Sequence, residues 1–197
     1  MDDKQAWQQC HPDDLWIFDK LILSKKLGYK CGPVDVDVPK PDYYIVRPIT
    51  NLLGMGIGAN IFWIDKDTAH LAPGHFWSER FNGRHLSVDY LNAKQVLCVE
   101  GFRDKENEMY RWERWERTND VVPFPSILYS LNQEYRFINC EFIGDKLIEV
   151  HLRHNPDFTD NEQVIYPVWK GQDTTPPEGM KFVESPDYKR IGFFKPI

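Results

Sequence analysis

The sequence lacks any long hydrophobic run, and 27% of its residues are charged. A membrane-spanning helix needs about 20 consecutive apolar residues, so this sequence predicts no such helix. The amino-terminal stretch MDDKQAWQQC is polar and acidic, unlike a secretory signal. We therefore expect a cytoplasmic protein with no membrane partner.

Cysteine and basic charge are also scarce. The four cysteines, at positions 10, 31, 98 and 140, form no CxxC pair and lack zinc-ribbon spacing, so we expect reduced thiols. Lys and Arg number 24 against 30 Asp and Glu, a net charge of −6. A protein that coats duplex DNA would carry the opposite sign, so nucleic acid is not an expected partner. A local phosphate site remains compatible with this charge.

The hydrophobic pattern predicts an α+β fold dominated by antiparallel hairpins. A chain of 197 residues fits one domain. One helix is expected from Pro12, which suits the first helical position, to Gly28, which suits the stop. A short helix is expected at 126–131. Strands are expected at 43–47, 75–81, 84–91, 96–102, 135–143, 146–152, 164–169 and 190–194.

Two dipeptides predict tight turns between neighbouring strands. Asn82-Gly83 separates the strands expected at 75–81 and 84–91, and Gly144-Asp145 separates those expected at 135–143 and 146–152. Both are typical two-residue hairpin turns, because their residues readily adopt positive φ angles.

A glycine run, Gly54-Met55-Gly56-Ile57-Gly58, is the first candidate for chemistry. Glycines let backbone N–H groups surround an anion, and Arg47 lies just upstream as a fixed positive charge. A Rossmann motif would require a helix at the last glycine, but the strand-like NIFWI follows. A Walker A motif is absent. The alternative is a plain flexible hairpin.

The RWERWER stretch, residues 111–117, interleaves basic and aromatic side chains. Such a pattern could stack single-stranded bases. Glu113 and Glu116 neutralise the basic charge, which favours a salt-bridged surface element instead.

The segment INCEFIGDKLIEVHLRHN carries the third candidate. Glu141 and Glu149 are expected on paired strands, where their carboxylates could converge on Mg²⁺ together with substrate phosphates. His151 and Arg153 share the face of Glu149, because strand side chains alternate with period two. A solvent-exposed edge strand is the alternative explanation for so many polar residues.

In chain order, four segments resemble the ATP-grasp superfamily. Asp19-Lys20 with LGYKCGP resembles the opening helix and its exit, and IVRPITNLLGMGIGA resembles the strand and glycine-rich lid that bind phosphate. SERFNGRHLSVDY resembles the hinge strand that reads adenine, and CEFIGDKLIEVHLR resembles the strands that end in Glu-x-Asn-x-Arg. His85 makes the match most similar to the biotin carboxylase-like branch.

The resemblance implies two small lobes around a nucleotide cleft, in one compact ATP-grasp-like domain over residues 1–197. Its parts are an amino-terminal helix and first strand (1–48), a small glycine-loop lid (49–80), and a carboxyl-terminal lobe with a tail (81–197). Glu141 and Glu149 would bind Mg²⁺ or Mn²⁺, and His151 and Arg153 would be catalytic. The residues implied to bind ATP are Lys20, Arg47, Gly54, Met55, Gly56, Gly58, Glu79, Arg80, Phe81 and His85.

The implied activity is an ATP- and Mg²⁺-dependent ligation of a carboxylate to an amine or similar nucleophile through an acyl phosphate. The sequence departs from the family at Arg47, where lysine is usual, and at His151, where asparagine is usual. We also expect the family's separate amino-terminal domain to be reduced, and a homo-oligomer or partner subunit to complete the site. The alternative is an inactive relic that binds nucleotide or protein.

Overall fold

The computed structural model of the chain describes residues 1–52, 55–104, 108–159 and 161–197. Gly54 of the predicted glycine loop lies outside the described residues. Within the described ranges, no helix is long and apolar enough to cross a membrane. All four cysteines are free thiols, as expected.

Helices are confined to the amino-terminal part and to two short 3₁₀ turns. Helix α1 (Asp3–Gln9) begins with a capping box in which Asp2 accepts from the N–H of Gln5, and Gln5 accepts from the N–H of Asp2. The helix expected from Pro12 to Gly28 is instead two helices, a 3₁₀ helix (Pro12–Phe18) and α2 (Lys20–Lys26). The prediction was wrong at Asp19, whose extended backbone ends the first helix. Its side chain caps the second, accepting from Ile22 N at 2.7 Å.

The first sheet has four antiparallel strands in the order β1-β4-β2-β3. A small core of Val38, Tyr44, Val46, Ile64, Leu71 and Trp77 covers one face of this sheet. The strands are β1 (Cys31–Pro33), β2 (Asp42–Pro48), β3 (Asn60–Ile64) and β4 (His75–Glu79).

The second sheet has eight antiparallel strands in the order β11-β12-β10-β7-β6-β5-β8-β9. Its largest core packs the 3₁₀ helix Pro12–Phe18 and α2 against β5, β8 and β9. The strands are β5 (His85–Leu91), β6 (Lys94–Phe102), β7 (Arg114–Arg117), β8 (Phe137–Ile143), β9 (Lys146–His151), β10 (Val164–Trp169), β11 (Met180–Asp187) and β12 (Arg190–Pro196).

The predicted hairpin at Asn82-Gly83 is wrong, whereas the one at Gly144-Asp145 is confirmed. Strand β4 belongs to the first sheet and β5 to the second, so the chain around Gly83 crosses between the sheets. Gly83 has φ 136°, and a Cβ there would lie 2.7 Å from Gly144 Cα. Position 83 therefore has to be glycine because the chain packs closely against the β8–β9 turn. The glycine at this position does not indicate a hairpin.

The other strand predictions hold, but three strands, β1, β7 and β11, were not predicted. The strands expected at 43–47, 96–102, 164–169 and 190–194 correspond to β2, β6, β10 and β12. The short helix expected at 126–131 is two 3₁₀ turns, Ser126–Leu128 and Leu131–Gln133. Of the three unpredicted strands, β7 is formed by the end of the RWERWER stretch and lies between β6 and β10. Arg114 and Glu116 of β7 form an ion pair, as the salt-bridged interpretation expected.

Candidate active site

A cavity of about 1200 Å³ lies between the two sheets. Arg47 reaches it from β2 and Ile61 from β3 on one side. His85 from β5, Glu141 from β8 and Glu149 from β9 face it on the other side. The cavity therefore brings together charged residues of both sheets that lie about 100 positions apart in the sequence.

The two predicted metal carboxylates converge in this cavity. Glu141 and Glu149 are direct partners across β8 and β9, next to a β-bulge. Glu149 Oε1 pairs with Lys20 Nζ at 2.9 Å, and both side chains are buried. His85 Nε2 lies 3.2 Å from Glu141 Oε2. Lys20 and His85, which the resemblance implies bind nucleotide, thus each contact one of these carboxylates.

His151 lies between the carboxylates and the amino-terminal helix. Its Nε2 is 3.7 Å from Glu141 Oε1 and 3.6 Å from Glu149 Oε1, and its Nδ1 is 2.9 Å from Asp3 Oδ1. Burial, the largest single influence, would lower the pKa of His151, but the charge of Asp3 and the hydrogen bonds to Asp3 and Glu141 together raise the pKa to about 9. At neutral pH the ring is therefore an imidazolium, and it would have to lose a proton before binding a metal.

Glu141 stays ionised for the same reason. Burial would raise its pKa, but the adjacent imidazoles of His151 and His85 hold the pKa well below the ordinary value for glutamate. A partly buried carboxylate kept charged in this way is a suitable ligand for a hard cation.

Asp3 is a site residue that the sequence reasoning missed. Its buried carboxylate accepts from Arg153 Nε at 2.8 Å and from a terminal nitrogen of Arg153 at 2.7 Å, in addition to His151. Burial would raise the pKa of Asp3, but these two cations lower it far below the ordinary range. The contact joins residues about 150 positions apart. In the sequence, the acidic character of the first residues was the one signal for such a site.

Arg47 is a buried cation on the opposite wall. Among the described residues, its Nε is the one buried side-chain nitrogen or oxygen with no hydrogen-bond partner. Burial lowers the pKa of Arg47, while Glu149 and Glu141 act to raise it. Arg47 lines the cavity, and an unpaired donor on a charged group is well satisfied by an anionic acceptor.

The glycine loop connects β2 to β3 at the rim of the cavity. Met55 and Gly56 line the cavity, and both have positive φ angles. Gly58 (φ 81°) packs on Pro48, whose Cγ would lie 2.9 Å from an added Cβ. The loop thus joins two antiparallel strands, and Gly56 and Gly58 have positive φ angles that glycine adopts without strain.

The predicted adenine-binding residues also line the cavity, where the chain crosses between the sheets. The carboxylate of Glu79 accepts from Lys30 N at 2.9 Å, which ties β4 to the segment before β1. Phe81 packs edge-on against Tyr29, with ring centroids 4.7 Å apart, and Arg80 is exposed. Glu79 therefore has a structural partner that the resemblance does not imply.

A metal site built from protein alone is not formed in the described ranges, because no group of three or more His, Cys, Asp or Glu could hold an ion there. Two carboxylates nevertheless suit Mg²⁺ when phosphate oxygens and water complete its coordination. Glu141 and Glu149 supply two carboxylates, but Lys20 and His151 already contact them, so a metal site here stays a prediction.

Comparison with known proteins supports the fold alone. No protein-family model and no curated protein matches this sequence. Among solved structures, an ATP-grasp superfamily protein from Archaeoglobus fulgidus superposes with a TM-score of 0.52 and 16% identity, over 91% of this chain and 64% of that protein. The carboxyaminoimidazole ribonucleotide synthase of Aspergillus clavatus, solved with ATP, gives a TM-score of 0.51 and 10% identity, over 91% of this chain and 68% of the enzyme.

The chain has the ATP-grasp fold. It spans less than two thirds of the length of the Archaeoglobus protein.

Proposed function

We propose that the cavity binds ATP and that the protein is an ATP-dependent ligase, which joins a carboxylate to an amine or similar nucleophile. The observation that carries the proposal is the buried, unpartnered Nε of Arg47, which lies across the cavity from Glu141 and Glu149. A phosphate oxygen would satisfy this donor. The two carboxylates would hold Mg²⁺, which would neutralise phosphate charge.

Each of the two sheets would supply a different part of the nucleotide site. Arg47 and the described part of the glycine loop, Met55 and Gly56, would face the phosphates. The segment from Glu79 to Phe81 would flank the adenine, and His85 lies next to the ribose position that the resemblance implies. This arrangement works by positioning and charge neutralisation, and it needs no side-chain nucleophile.

Arg153 would act on the transferred group. In the reaction the γ-phosphoryl group passes from ATP to the substrate carboxylate, and the nucleophile then displaces phosphate from the acyl phosphate. A guanidinium stabilises the negative charge that develops on the phosphoryl oxygens. Asp3 holds Arg153 by two hydrogen bonds, which fixes the guanidinium plane.

One observation favours a second candidate, a protein that binds nucleotide without turning it over. Lys20 and Arg153 are already neutralised by the buried carboxylates Glu149 and Asp3. The imidazolium of His151 also occupies the space beside Glu141. These internal ion pairs would have to rearrange before the same cations could stabilise a phosphoryl group.

Thermal scans with Mg·ATP test binding. A ligand that binds only the folded state stabilises it by about 2.7 kcal/mol at a hundred times Kd. Arg47→Ala should reduce the shift, because it deletes a charge-assisted contact worth roughly 1.5–3 kcal/mol. Arg136→Ala is the matched control, since Arg136 is exposed on another part of the surface. If Mg·ATP stabilises neither wild type nor control, nucleotide binding is refuted.

Arg153→Ala separates the two candidates. In a ligase it should leave ATP affinity nearly unchanged and abolish phosphate release in the presence of substrate. A protein that binds ATP tightly but releases no phosphate with any carboxylate and amine pair would support the second candidate.

A further inference from the structure

The cavity exceeds the usual volume of a ligand pocket. Ligand pockets commonly measure about 300–1,000 Å³, whereas this cavity is about 1200 Å³. Part of it extends over β6, β7 and β10, away from the glycine loop, and is walled by aromatic side chains. These are Phe102, Trp112, Trp115 and Trp169.

Two of these residues form what we call the indole platform, Trp112 and Trp115. Their ring centroids are 4.7 Å apart. The platform lies directly on Gly101, where an added Cβ would be 2.8 Å from an atom of each ring. Trp169 Nε1 donates to the carbonyl of Trp112 at 3.0 Å and fixes the platform from the side. The absent Cβ leaves room for both rings, and the hydrogen bond ties the backbone of Trp112 to β10.

The indole platform is continuous with the carboxylate pair through one side chain. The ring of His85 packs edge-on against Trp112 with centroids 4.7 Å apart, and against Trp115 at 5.7 Å. The same imidazole lies 3.2 Å from Glu141. A group that packs on the platform would therefore lie beside His85 and one side chain away from Glu141, a proposed metal ligand.

We propose that the indole platform binds an aromatic group carried by one of the two substrates that the ligase joins. The inference rests on the proposed function and adds to it the chemical class of a substrate. Aromatic rings prefer offset or edge-to-face contacts at about 4.5–7 Å, and such pairs gain free energy beyond that of apolar burial. The rings are half-buried inside the cavity, a setting that does not suit an extended nucleic-acid strand.

Ligand-observed NMR on the full chain, saturated with Mg·ATP, tests this proposal. The probes are phenylacetate and phenethylamine, which carry the same ring on a carboxylate and on an amine, with propionate and ethylamine as ring-free controls. One aromatic probe should bind while ATP remains bound, and its identity assigns the ring to one substrate. Failure of both aromatic probes to bind, or their displacement by ATP, would overturn the proposal.

Matched variants locate the binding. Trp112→Ala should weaken probe binding roughly three- to tenfold without changing ATP affinity. Gly101→Ala should weaken it as well, because the new methyl group displaces both rings, and this variant serves if Trp112→Ala does not fold. Trp63→Ala is the control, since Trp63 is exposed on the first sheet. Equal probe affinity in all folded variants would refute the platform.

Calorimetric titration with ATP alone tests the nucleotide site separately from the indole platform. ATP binding without probe binding would refute the indole platform and leave the nucleotide site intact. Absence of ATP binding would refute the proposed function itself.

Discussion

Asp3→Asn is the sharpest perturbation of this site, because it removes one charge that two buried cations share. The Asp3 carboxylate makes contacts of 2.7 and 2.8 Å with Arg153 and of 2.9 Å with His151. Removing one member of a buried ion pair typically costs about 3–5 kcal/mol, since the partner is left uncompensated. With two cations affected, we expect a loss in this range, which corresponds to a fall in Tm of roughly 10 °C.

The same variant should change the pH dependence of stability. The pKa of His151 is raised from 6.5 to about 9 in the folded protein, so its contribution is complete below pH 6.5 and is lost as pH rises through 9. That difference corresponds to about 3 kcal/mol. The contribution of Asp3, whose pKa is lowered, is present above pH 3.8 and lost at lower pH. Wild-type stability should therefore fall between pH 6.5 and 9, and the fall should be smaller in Asp3→Asn.

Urea unfolding of the metal-free protein at several pH values measures both effects. Asp13→Asn is the matched control, because the side chain of Asp13 is 90% exposed and its ion pair with His11 spans 3.7 Å. A loss below 1 kcal/mol in Asp3→Asn, or an unchanged pH slope, would refute the assigned ion pairs.

Three further substitutions test separate parts of the fold. Lys20→Met should destabilise the protein because it deletes the 2.9 Å ion pair of the buried Glu149, and the double variant with Glu149→Gln should recover most of the loss in urea unfolding; no recovery would contradict the pairing. Gly192→Ala should lower stability by about 1–3 kcal/mol, because its Cβ would overlap the carbonyl oxygen of Val183, and an unchanged Tm would argue against the β11–β12 pairing. Trp77→Phe should cost about 1–3 kcal/mol, because the buried indole donates to the carbonyl of Val36 at 2.7 Å; a thermal scan with no shift would argue against that bond.

Local sequence signals were sufficient where neighbouring strands form the site. The Gly144-Asp145 turn and the two-residue period of strands together predict that Glu141 and Glu149 face each other. They also place His151 on the same face. Such short-range geometry depends only on backbone periodicity and turn chemistry, so it can be read without knowing the rest of the fold.

Long-range contacts could not be read in this way. Asn82-Gly83 has the composition of a hairpin turn, but the glycine is needed because Gly144 packs against it from a distant hairpin. Asp3 meets His151 and Arg153 only because α1 docks on the end of β9, and no spacing rule relates positions so far apart. The role of Trp112 and Trp115 likewise depends on Gly101, whose missing Cβ matters only once β6 and β7 pair.

The central claim is that the cavity between the two sheets is a nucleotide site. A crystal structure of the full chain with a non-hydrolysable ATP analogue and Mn²⁺ tests it most directly. We expect a phosphate oxygen to accept a hydrogen bond from Arg47 Nε, and anomalous scattering from Mn²⁺ between Glu141 and Glu149. A nucleotide bound elsewhere, or a cavity that stays empty at saturating analogue with Arg47 Nε still unpartnered, would contradict the account.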